Sequence, residues 1–203
     1  MTASVLQRID AGLPLHERKW PRPMQEGQWP QAAVLVALTT EQAPRVLLGR
    51  RAMHLNNHPG EIAFAGGKRE RSDVSPWETA QREAMEEVGL PADCIQPLGE
   101  LEPLITRTGF EVYPCIAGIP ADPTLVVDTG EFDSVFFAPL AAFADAGIYR
   151  LETMSDGRVQ RKVPHYQLGD DNVWGVTAAI LVMLANVAYD AGLDLQRNWE
   201  QAP

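Results

Sequence analysis

Glu83, Glu86 and Glu87 put three carboxylates within five consecutive positions, and side chains crowded in that way can hold a cation that none would hold alone. If the segment is helical, Glu83 and Glu87 are i, i+4 neighbours with Cβ atoms about 5–6 Å apart, and Glu86 stands three residues from Glu83. Without compensation the three repel each other, weaken the helix and bind protons more tightly. Glu86 and Glu87 also fall in the last turn, where the helix dipole disfavours negative charge. A hard divalent cation relieves both penalties, and Mg²⁺ or Mn²⁺ suits the purpose because these ions prefer oxygen ligands and bridge carboxylates to phosphates. Read alone, the same acids also suit a solvated acidic face.

The flanking text narrows the choice. Gly66-Gly67-Lys68 precedes the acids, and glycine backbone can approach a metal or a phosphate closely. Together with Arg82-Glu83-Ala84-Met85-Glu86-Glu87-Val88-Gly89-Leu90 it resembles the signature box of the Nudix family, Gly-x5-Glu-x7-Arg-Glu-U-x-Glu-Glu-x-Gly-U with U aliphatic. Asp73 stands at the box's first acid, Ala84 at the first U, and Gly67 to Arg82 is one residue longer than the usual spacing. The resemblance implies an α+β Nudix fold, an α/β/α sandwich with a mixed sheet between helices and the box forming loop, helix and loop. It implies Glu83, Glu86 and Glu87 as metal ligands and Arg82 as the residue that pairs with a box glutamate and orients it. The implied reaction is hydrolysis of a diphosphate, with metal neutralising phosphate oxygens and acidifying a water, and a nearby glutamate taking the proton.

The extra residue is a feature of the coenzyme A diphosphatase branch of the family, and a second segment is similar to that branch. Leu47-Leu48-Gly49-Arg50-Arg51-Ala52, Asn56, Gly60 and Phe64-Ala65-Gly66-Gly67 follow its upstream pattern, with Gly49 for Thr, Asn56 for Arg and Ala65 for Pro. At Asn56 a bidentate phosphate donor is replaced by a neutral amide. Glu131–Leu140 and Trp174–Leu181 also resemble the branch, so that the likeness spans roughly residues 30–190. It implies cleavage of coenzyme A or its thioesters to 4′-phosphopantetheine and adenosine 3′,5′-bisphosphate. Expected substrate-binding residues are Arg51, Lys68, Gly66, Gly67 and Asn56, with Arg51 foremost because it holds a motif position. Two other readings stand beside this one: a Nudix hydrolase of ADP-ribose, NADH or another nucleoside diphosphate derivative, and a catalytically silent nucleotide-binding module, which would be expected to lose box acids.

Other side chains carry less. Glu61 either lies near the metals or caps its loop, His54, His58 and His165 form no metal-ligand pair, and Phe110, Tyr113 and Tyr166 suit a core as well as a stacked base.

The chemistry needs elements to position it. Ser75-Pro76-Trp77-Glu78 predicts a helix start, with Ser75 as N-cap and Glu78 closing a capping box, and Gly89 predicts its stop. Within it Ala80, Ala84 and Val88 form a narrow stripe of small side chains that can lie against a sheet. The apolar run Ala32–Leu38 and its partner Arg45–Leu48 read as buried strands, as do Ile95–Ile105, Val112–Ile119 and Phe132–Phe137. Asp156-Gly157 predicts a turn between Tyr149–Met154 and Val159–His165, and Thr177–Tyr189 predicts a last helix whose Ile180, Leu181, Leu184 and Val187 cover the sheet. Residues 1–30, with Pro14, Pro21, Pro23 and Pro30, read as an N-terminal arm, and residues 31–203 as a single domain.

A chain of 203 residues, 45% hydrophobic, can bury a substantial core, and its net charge of -10 argues against nucleic acid as a partner. The expected partner is a small nucleotide diphosphate, and a homodimer is compatible with the text. Cys94 and Cys115 form no disulfide framework, and no apolar run is long enough to span a membrane, so a cytoplasmic protein without a membrane role is expected.

Overall fold

The computed structural model describes residues 4–15, 18–21, 29–155 and 160–195. Helix α1 (Val5–Gly12) is followed by strands β1 (Gln31–Thr39), β2 (Arg45–Arg51), β3 (Ile62–Ala63) and β4 (Ala65–Lys68), and then by helix α2 (Pro76–Val88). Strands β5 (Gln96–Glu100), β6 (Leu104–Ile105), β7 (Glu111–Ile119), β8 (Phe132–Pro139), β9 (Tyr149–Ser155), β10 (Gln160–Leu168) and β11 (Asp171–Trp174) lead to helix α3 (Gly175–Tyr189).

Strand β1 is central in an eight-stranded sheet of order β3-β2-β1-β7-β5, in which β4 also pairs with β1, β6 with β7 and β8 with β2. Its pairing with β7 is parallel and its pairings with β2 and β4 are antiparallel, so the sheet is mixed. The nearly unbroken apolar text of β1 follows from burial on both faces. Ala33, Leu35 and Ala37 pack with Ala80, Ala84 and Val88 of α2, whereas Val36 and Leu38 join Ile180, Leu181 and Leu184 of α3 in a second core. Helices therefore cover both faces, and the architecture is the α/β/α sandwich expected. A smaller sheet, β11-β10-β9, is joined to β2 by the Arg50–Asp171 ion pair at 2.6 Å.

Three local expectations change. The single strand expected over 95–105 divides into β5 and β6, because Pro103 has no amide to offer the ladder and the pairing with β7 already shifts register between Pro97 and Gly99. The arm contains α1, capped by Ser4 on the Gln7 amide, and its Ile9 is fully buried in the α3-side core. Glu78 does not close the capping box: its carboxylate takes the amide of Val74, one residue before the cap. The expected Asp156-Gly157 turn lies outside the described residues.

Candidate active site

Strand β4 brings the glycine pair against β1, with Gly66 opposite Val34 and Gly67 opposite Ala33. A Cβ on Gly66 would fall 2.5 Å from the Ala33 carbonyl oxygen, and one on Gly67 only 2.3 Å from Glu83 Oε1. Both glycines are thus required by close approach, one to backbone and one to a carboxylate. Helix α2 starts where Ser75 Oγ accepts the Glu78 amide at 3.2 Å and ends at Gly89, whose φ of 67° is left-handed. Its small-residue stripe seats it on the sheet, and Glu83 and Glu87 are carried beside the glycines.

Glu87 is 5% exposed, and its Oε2 accepts the Gly66 amide at 2.8 Å. Burial, joined by the charges of Glu83 and Glu131 and opposed by the Gly66 amide and Arg51, pushes its carboxyl up to about 8. Glu83 is raised as well, chiefly by burial. Arg82 is the hub of the cluster: its Nη1 donates to Glu83 Oε1 and to Glu86 Oε2, each at 3.0 Å. Its Nε and Nη2 grip the two oxygens of Asp73 at 3.2 and 3.1 Å, and Nη2 also donates to the Lys68 carbonyl at 3.0 Å. Asp73 is held in turn by the Glu70 amide and the Thr79 hydroxyl, and Thr79 by the indole of Trp20. Burial alone would raise the Asp73 carboxyl, but Arg82 and these donors keep it below its usual value.

Of the residues expected to meet substrate, Arg51 lies at the end of β2, paired with Glu131 at 3.5 Å and near enough to Glu87 to oppose its protonation. Its Nε is buried and meets no hydrogen-bond acceptor among the described residues. Lys68 is adjacent to the glycines but rests its ammonium 5.1 Å from the centre of the Phe110 ring. Asn56 is exposed on the loop between β2 and β3. Glu61 on that loop bonds His58 at 2.9 Å. Buried His165 stacks on Trp174, and Tyr166 spends its hydroxyl on the Phe143 carbonyl.

A family model described as NUDIX domain matches residues 29–154. The chain belongs to the Nudix family. It is 38% identical over 154 residues to a Yersinia enterocolitica protein described as uncharacterized Nudix hydrolase NudL, covering 76% of this chain and 79% of that one. A Pectobacterium atrosepticum protein of the same description is 38% identical over 161 residues, covering 76% and 81%. Among solved structures, a MutT/nudix family protein from Enterococcus faecalis superposes with a TM-score of 0.57 at 20% identity, over 86% of this chain and 66% of that one. That likeness is one of fold. The protein is a Nudix hydrolase, an enzyme of the pyrophosphatase type, and such enzymes generally use divalent metal ions.

The residues present fit such an ion. Glu83 and Glu87 are carboxylates whose ionisation burial and mutual repulsion oppose, and a cation beside them would reverse that balance. Among the described residues no three acidic, histidine or cysteine side chains converge as a finished cage. One Arg82 nitrogen bridges Glu83 and Glu86 while the Gly66 amide holds Glu87, so the acids are anchored by protein donors, and a hard divalent ion beside them would complete its shell with water and substrate phosphate. Two members of the cluster were not among the expected site residues. Asp73 was legible as the box's first acid, whereas Glu131 carried no signal beyond lying in a segment of family resemblance.

Proposed function

We propose that this Nudix hydrolase cleaves the diphosphate of coenzyme A or its thioesters, giving 4′-phosphopantetheine and adenosine 3′,5′-bisphosphate. The observation that carries the reading is Arg51: the motif arginine of the coenzyme A pattern lies close enough to Glu87 to act on its charge, with a buried Nε that no group among the described residues satisfies. A buried donor of that kind is costly until an anion reaches it, and a phosphate oxygen is the anion that suits a guanidinium. Glu83, Glu86 and Glu87 would hold the metal, with Arg82 orienting Glu83 and Glu86 from its anchor on Asp73. When bound, the metal supplies neutralisation of the diphosphate oxygens and a more acidic water. A glutamate near that water would take its proton. Gly66 and Gly67 let substrate and acids approach the backbone, and Lys68 adds positive charge at the margin. The two free cysteines accord with a reducing, cytoplasmic setting.

The departure at Asn56 favours a second substrate class. An exposed amide on the loop between β2 and β3 brings no charge to a phosphate, which is compatible with ADP-ribose, NADH or another nucleoside diphosphate derivative lacking the 3′-phosphate. Product analysis decides: pure protein with Mg²⁺ or Mn²⁺ should release adenosine 3′,5′-bisphosphate from coenzyme A with higher kcat/KM than it cleaves ADP-ribose or NADH. A preference of about tenfold or more for either of the latter, some 1.4 kcal/mol in transition-state binding, overturns the coenzyme A assignment.

A further inference from the structure

Strands β2 and β8 fall out of step at the site: Arg50 is opposite Ser134 but Arg51 is opposite Phe132, leaving Asp133 as an extra residue in the ladder. Irregularities of this kind re-aim neighbouring side chains. This one is pinned on both sides, because the Met53 amide donates to the Asp133 carboxylate at 3.1 Å and the Ala52 amide to the Glu131 carbonyl at 2.9 Å. The same stretch is tied to the box helix. Asp128 donates its amide to the Glu87 carbonyl at 2.9 Å and Glu131 donates its own to the Asp128 carbonyl at 3.0 Å. Glu131 is thereby fixed beside Arg51 and facing the acids of α2.

Arg51 has two carboxylates within electrostatic reach, Glu87 and Glu131, and its ion pair is with Glu131, at Nη2. We infer that Glu131 is a positioning residue, anchoring the Arg51 guanidinium by one edge so that it does not close onto Glu87 and so that its buried Nε stays free for a phosphate oxygen of the substrate. The inference rests on the reading of Arg51 as a diphosphate-binding residue. Without Glu131 the guanidinium would turn to the remaining acid, which withdraws a donor from the substrate and places a positive charge where a divalent cation is needed.

A double-mutant cycle on the full chain tests this, with E131Q, R51A and the double variant compared for kcat, for KM and for calorimetric binding of the α,β-methylene analogue of ADP with Mg²⁺. E131Q should weaken analogue binding and raise KM by roughly tenfold with a smaller change in kcat, E131D should recover most of the loss, and E131Q should add nothing in the R51A background. The Glu131 side chain is 39% exposed, so the unfolding midpoint of E131Q should stay at the wild-type value. Unchanged analogue binding in E131Q, or losses that multiply in the double variant, overturns the positioning role and leaves the reading of Arg51 intact. Unchanged binding in R51A overturns that reading, and the inference with it.

Discussion

At the scale of single residues, the proposed chemistry turns on the balance at Glu87. A carboxylate 5% exposed, bonded to one amide and facing two other acids, is a poor place for a charge until a cation arrives. Replacing Glu83 or Glu87 by Gln removes that charge at constant size, and turnover at saturating metal should fall by roughly a hundredfold or more while the fold persists. Near wild-type kcat in either variant would place the centre elsewhere. The same balance has a signature in stability. With metal chelated, Glu87 titrates at about 8 when folded against 4.5 as its ordinary value, so the folded protein keeps a proton that the unfolded chain has lost. A raised carboxylate is therefore a loss of stability that grows as pH rises from about 4.5 to 8 and is complete above it. Denaturant midpoints in chelator should show E87Q gaining on wild type from about pH 5 to about pH 9, and parallel curves would contradict the raised value.

At the scale of elements, β4 and α2 act as one unit. The helix sits on the sheet through Ala80, Ala84 and Val88, while Gly66 and Gly67 leave the room that its acids occupy. The two glycines should fail differently when each is changed to alanine. In G67A the new methyl meets the side-chain end of Glu83, which can shift where backbone cannot, so activity should drop by about 10–100-fold while the unfolding midpoint barely moves. In G66A the methyl meets the Ala33 carbonyl and the Val34 backbone, which cannot retreat, and stability should fall by about 1–3 kcal/mol. Chemical denaturation alongside turnover checks the contrast, and equal stability losses in the two variants would refute it.

Across the whole molecule, a chain of net charge -10 handles an anionic substrate by concentrating positive charge locally. In the proposed reading Arg51 and Lys68 would supply part of it, and the cation gathered by the box acids would supply more. Activity should vanish in chelator and return with Mg²⁺ or Mn²⁺, because three clustered carboxylates by themselves repel a diphosphate. Full turnover in excess chelator would exclude this arrangement. No helix among the described residues is long and apolar enough to cross a membrane, and α3, apolar on nearly every side, is instead enclosed between the large sheet, α1 and β10.

The sequence alone determined what depends on neighbours along the chain. Ser75, Pro76 and Gly89 bounded α2, the four-residue spacing of its alanines chose the buried face, and the arrangement of Arg82, Glu83, Glu86 and Glu87 revealed the family, since helical periodicity and capping are local. The apolar run of β1 likewise announced a buried strand. What only the tertiary structure decided are the contacts that sequence spacing does not encode: Glu87 on the amide of Gly66, Arg51 against Glu131, and Trp20 reaching Thr79 behind Asp73. The helix α1 was hidden among prolines because eight residues make a weak signal by themselves, and its Ile9 becomes core only once α3 is present to receive it. Burial is a property of the assembled sandwich, and it is burial that raises the proton affinity of Glu83 and Glu87 and gives the pair a use for a cation.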